Sequence, residues 1–176
     1  MKTTTMHFAI ALALALLTSL PALAQRGDDA NRRSKNGRAE GAAGGAQVVV
    51  EYGRPSVNGR AIWGSLVPYG KVWRTGADEA TTVTVDRDVL VEGQRLPAGT
   101  YALFTIPGES SWTVIFNQVA KQWGAFDYDA GQDVLRVEVT PRAHEHVETF
   151  EIAVEDDAVV LRWAELEVPI RLTAAG

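Results

Sequence analysis

From residue 47 onward the apolar residues of this chain alternate with polar ones, and short turn signals break the alternation at close intervals. Successive side chains of an extended strand point to opposite faces, so a repeat of two builds strands with one buried face. Leu135, Val137 and Val139 alternate with Arg136, Glu138 and Thr140, and Phe150, Ile152 and Val154 are set against Glu151 and Glu155. Residues 47–52, 81–85, 89–91 and 112–117 read as further strands. Leu96-Pro97-Ala98-Gly99 has proline second and glycine last, which suits a β-turn. The strand it launches, 100–106, is apolar on both faces, as a central strand must be. Val159, Leu161 and Trp163 are odd-numbered, whereas Leu166, Val168, Ile170 and Leu172 are even. A slip of one residue turns the apolar face over, so a β-bulge or break is expected near Ala164-Glu165. About eight or nine short strands imply an all-β fold. An antiparallel β-sandwich, jelly-roll-like, is the expected architecture, with a closed β-barrel as the alternative. Only 62–67 offers as much as one helical turn.

The N-terminal end follows other rules. Lys2, an apolar run over 8–20 and Ala22-Leu23-Ala24 read as a signal peptide, 1–24, cleaved after Ala24. The run is shorter than the roughly 20 residues a membrane-spanning helix needs. No transmembrane segment is expected after cleavage, and the mature protein is expected to be periplasmic or secreted. Residues 25–45 are polar and rich in Gly and Ala, and read as a disordered tail. The tripeptide Arg26-Gly27-Asp28 within it, which resembles an integrin-binding string, is read as a chance occurrence. A single domain, 46–176, follows. The chain has no cysteine, which excludes disulfides, thiolate metal sites and a Cys nucleophile. Its net charge of −5 disfavours nucleic acid as a partner. Yet between residues 46 and 77 Arg54, Arg60, Lys71 and Arg74 face Glu51 alone, which leaves room for a small anion.

Residues 53–80 form a connection too long to be a simple loop. Its glycines and prolines are interspersed with Ile62, Trp63, Leu66, Val67, Tyr69, Val72 and Trp73, too apolar for disorder. A folded loop packed on the sandwich is expected. Within it Tyr69, Trp73, Arg74, Thr75, Asp78 and Glu79 combine flat rings, a guanidinium and two carboxylates. Rings beside hydrogen-bonding groups suit sugars, and arginine suits carboxylate or phosphate. A structural alternative pairs Arg74 with Glu79 and uses the tryptophans as core plugs. Asp78 and Glu79 make a poor acid/base pair, because neighbours in an extended chain face opposite ways.

The strings VEYGRPSVNGR (50–60), VPYGKVWRTGADEATT (67–82), LPAGTYALFTIPG (96–108) and WGAFDY (123–128) resemble the bacterial domain of unknown function 2911 family. The resemblance covers 46–172 and implies an exported bacterial protein, without assigning a catalytic residue.

Two further clusters carry weaker chemistry. Asp127, Asp129, Asp133 and Glu138 echo a calcium loop, but Gly131 and Gln132 occupy positions that the loop needs as acid and glycine. His144 and His146 would share one face of a strand, yet Pro141 argues for a solvated turn. No nucleophile elbow, phosphate loop or dinucleotide fingerprint occurs. The leading expectation is a non-catalytic domain binding a small glycan or anionic ligand beside the 53–80 loop, through Arg54, Tyr69, Trp73, Arg74, Thr75, Asp78, Glu79 and Tyr128. A hydrolase acting on a sugar or ester through Arg74 and Glu79 is the alternative, and a structural envelope interaction domain the third. No cofactor or metal is expected.

Overall fold

The computed structural model describes residues 26–176; the expected signal peptide, 1–24, lies outside them. Ten strands follow: β1 (Lys35–Ala43), β2 (Ala46–Arg54), β3 (Thr81–Val85), β4 (Val89–Val91), β5 (Gln94–Leu96), β6 (Gly99–Ile106), β7 (Trp112–Asn117), β8 (Asp133–Val139), β9 (Arg142–Glu155) and β10 (Ala158–Ala174). Six form one antiparallel sheet in the order β1-β2-β3-β6-β7-β8, and four a second, β5-β4-β10-β9. The two sheets pack face to face as the expected sandwich and do not close into a barrel. The chain crosses between them at 86–88, 97–98 and 140–141. Hairpin turns take positive φ at both central residues: Gly44 and Gly45 (57° and 78°) join β1 to β2, and Glu92 and Gly93 (48° and 81°) join β4 to β5, with only Glu92 a side chain ill suited to that region. Among the described residues no helix is long and apolar enough to cross a membrane.

Residues 35–43 correct the expectation of a disordered tail and of a domain beginning at 46. They form β1, paired with β2 from Lys35↔Arg54 to Ala43↔Ala46. The glycines that weakened the strand signal serve close approach instead. A Cβ at Gly41 would come within 3.2 Å of Val154 on β9, and one at Gly37 within 2.6 Å of the Tyr52 ring. His144 and His146 are a second correction, since they lie inside β9 rather than in a turn.

The inter-sheet core takes the inward residues of both sheets, among them Val48, Val50, Leu103, Phe116, Val137, Ile152, Leu161 and Ile170. A smaller cluster of Ala80, Ala102, Phe104 and Ile115 lies apart from it, under Val72, Ala125 and Tyr128. β6 is therefore buried on both faces, as its composition required. One end of the core is filled by aromatic rings. Trp63 meets Trp112 with centroids 4.9 Å apart, and Trp73 stacks on Trp163 at 5.9 Å with planes 17° apart. Trp163 keeps this position because β10 slips at the next residue. The register shifts on either side of Ala164, whose φ is 51°.

Candidate functional site

The 55–80 connection is held at both ends by backbone pairing. Val57 donates to the Glu148 carbonyl and Phe150 to that of Pro55, which ties its start to β9. Farther on, Trp73 exchanges two hydrogen bonds with Thr105, extending the sheet beside β6 where β3 has ended. The chain then folds tightly over β2. A Cβ on Gly53 would lie 2.3 Å from the Ala77 carbonyl oxygen, so no other residue fits there. Thr75 and Asp78 sit at φ 55° and 63°, a backbone cost of about 1–3 kcal/mol each. Buried hydrogen bonds hold this shape: Thr81 Oγ1 donates to the Thr75 carbonyl at 2.6 Å, and the hydroxyls of Thr75 and Thr105 lie 3.1 Å apart. Arg74 and Asp78 emerge from the twisted segment on the wall of a cleft.

That cleft, of about 370 Å³, is lined by three arginines (Arg33, Arg60 and Arg74), by Asn58 and by Asp78, and the buried Trp73 and Trp163 lie at its floor. Arg60 is braced by its own loop, donating to the carbonyls of Val57 and Ser56. Asp78 accepts from Arg32 at 3.4 Å. Arg74 is different. Its guanidinium makes no hydrogen bond or ion pair among the described residues, and its Nε is enclosed without a partner. Burial lowers its pKa from the ordinary value, and the nearby Asp78 charge acts in the opposite direction. A half-buried cation with unmatched donors is an incomplete hydrogen-bonding site.

Glu79 faces a second cleft, of about 270 Å³, together with Arg26, Lys121, Gln122 and Trp123. Arg32 grips both of its carboxylate oxygens, at 2.7 and 2.5 Å, and Arg26 adds a bond of 3.0 Å. The hydrogen bonds from Arg32, reinforced by the Arg26 charge, hold its carboxyl at about 2. Arg26 also donates to the carbonyls of Ala77, Glu79 and Ala80 and to Asn36 Oδ1. Its side chain is 6% exposed. The Arg-Gly-Asp string thus contributes an internal clamp.

Of the residues singled out from sequence, the structure brings Trp73, Arg74 and Asp78 to one cleft. Glu79 opens on the other, so the expected Arg74–Glu79 pairing is replaced by Glu79 with Arg26 and Arg32. Thr75 is fully buried scaffold. Arg54 Nε donates to the Phe150 carbonyl, and Tyr69 lies against Gly64, away from both clefts. Tyr128 donates to Asp133 Oδ2 at 2.6 Å and packs on Phe104. Burial first, and then Asp133, push its hydroxyl up to about 12.

The calcium-like acids do not converge. Asp129 caps the turn at Ala130–Gln132, Asp133 accepts from Asn117, and Glu138 accepts from Ser111 and Thr113. His146 lies between Glu165 and Glu148. No group of three or more metal-ligating side chains occurs among the described residues. The partners that sequence reasoning missed, Arg26, Arg32 and Arg33, all come from the supposed tail. The available signal was its excess of arginine ahead of an acidic Asp78-Glu79 pair.

A family model described as "Protein of unknown function (DUF2911)" matches residues 34–172. No curated protein and no solved structure matches the chain.

Proposed function

The chain belongs to the DUF2911 family, whose description states no activity, and from that premise we propose that it is an exported domain that binds a small anion, a carboxylate or phosphate, without turning it over. Arg74 carries this reading. Its guanidinium is half-buried and without an acceptor among the described residues, on a cleft wall shared with Arg33 and Arg60. An anion would supply the acceptor, and the bidentate geometry of arginine suits planar carboxylate and tetrahedral phosphate alike. A hydrolase acting through Arg74 and Glu79 is less well supported. The two residues open on different clefts, and a carboxyl held at about 2 is a weak base near neutrality. Export rests on Lys2, the apolar run over 8–20 and the Ala22–Ala24 cleavage signal.

Calorimetric titration with inorganic phosphate and with citrate tests the site, using wild type and Arg74→Gln. Wild type is expected to bind at least one of them and the variant about tenfold or more weakly. Thermal stability of the variant should stay within about 1 kcal/mol, because the side chain it replaces has no protein partner to strand. Absence of binding to both anions, or a collapse of stability in Arg74→Gln, would sink the proposal. The export reading is checked by intact mass: envelope-located protein that retains residues 1–24 contradicts it.

A further inference from the structure

We propose that the second cleft is a saccharide subsite, in which the indole face of Trp123 receives a pyranose ring. Trp123 is 57% exposed and contributes nothing to either core cluster. The backbone beneath it is nevertheless pinned to the 78–80 segment. Residue 123 bridges residue 79, Ala80 donates to the Gln122 carbonyl, and Gly124 donates to that of Asp78, both at 3.0 Å. The Gln122 amide nitrogen adds bonds to Asn117 Oδ1 and the Val119 carbonyl. A large flat apolar face is thus held out to solvent on an ordered frame, a cost that binding would repay.

The polar groups around the ring select the ligand class. Glu79 accepts three hydrogen bonds from Arg26 and Arg32, leaving acceptor capacity on a side chain that remains 27% exposed. Lys121 offers a cationic donor on the same wall, whereas the donors of Arg26 are committed to protein acceptors. An anion would meet the Glu79 carboxylate, and a fatty chain would desolvate the Lys121 ammonium and the remaining acceptor sites of Glu79 without offering them a hydrogen bond. A pyranose satisfies all of these at once. Its axial C–H face packs on the indole, and its equatorial hydroxyls both donate and accept. Phe126, 86% exposed, lies against Gly124, so a second ring follows Trp123 along the same loop. The subsite therefore fits a chain of sugars better than a single one.

The probes are three uncharged tetrasaccharides, chitotetraose, cellotetraose and maltotetraose, titrated into the full mature chain and followed by saturation-transfer NMR and calorimetry. At least one should bind more tightly than its monosaccharide. Trp123→Ala should weaken that binding about tenfold or more, and Trp123→Phe should restore part of it. Melting temperature should be unchanged in both, since the ring is outside the core; Phe126→Ala supplies an independent variant and should shift the affinity for the tetrasaccharide but not for the monosaccharide. Arg74→Gln should leave sugar binding intact, which separates this site from the anion cleft. No saturable signal from any of the three at about 10 mM, or full binding by Trp123→Ala, would overturn the proposal.

Discussion

Glu79 accepts hydrogen bonds from two arginines that lie some fifty positions earlier, so its ionised form is favoured more in the folded chain than in the unfolded one. A carboxyl lowered from 4.5 to about 2 adds stability that is fully present above the unfolded value. That contribution is lost as pH falls through the interval between 4.5 and about 2. Melting temperature of the wild type should therefore drop more steeply across this interval than that of Glu79→Gln, and parallel curves would contradict the ion-pair account. Trp163 tests packing in the same way. It is 2% exposed, and Trp163→Ala should cost about 3–5 kcal/mol. Glu151, on the half-exposed face of β9, should tolerate alanine within about 0.5 kcal/mol. Denaturant titration of the two variants checks this; equal shifts would mean the faces of the β9–β10 hairpin are misassigned.

Strands that carry a clean alternation were legible from sequence, and the slip at Ala164 was visible as a change of parity in the apolar positions of β10. β1 was not legible. Its string KNGRAEGAA has no bulky apolar residue to reveal a buried face, because the face it presents to Val154 and Tyr52 must be small. The arginine-walled cleft was half legible for the same reason. Trp73, Arg74 and Asp78 stand in one conspicuous string, but Arg33 reaches them only because β1 brings the chain back across β2. A chain started at Ala46 tests this element. It would leave β2 as an open edge with Val48 and Val50 along it, and strip Glu79 of both arginines. Size-exclusion chromatography should show it associating or aggregating while the chain started at Gln25 stays discrete. A stable 46–176 domain with unchanged melting temperature would return residues 25–45 to the status of a tail.

Across the whole molecule the two clefts lie on either side of the Asp78-Glu79 peptide and are charged differently. One is walled by three arginines against a single carboxylate, and in the other Arg26 is already paired with Glu79, which leaves Lys121 as the one further cation of its lining. Mobile ions weaken attraction between exposed charges but leave stacking almost untouched. Phosphate or citrate affinity should thus fall about severalfold between roughly 0.05 and 0.5 M salt, while tetrasaccharide affinity should hold steady, as calorimetry at both salts would show. A salt-insensitive anion titration would point to contacts other than the arginines.

The aromatic end-plug also gives this protein an optical division of labour. Of five tryptophans, Trp63, Trp73, Trp112 and Trp163 sit in mutual contact, and Trp123 stands alone in solvent. Indoles stacked at 5.9 Å couple their electronic transitions, so the near-ultraviolet circular dichroism of the folded chain should carry a strong signal that vanishes when the two sheets part. Emission at the red edge should instead come from Trp123, the most exposed of the five, with quenching by iodide strongest there and weaker at the partly buried Trp63. One chain thus holds two independent chromophore populations, one reporting whether the sandwich is closed and the other what arrives at its surface.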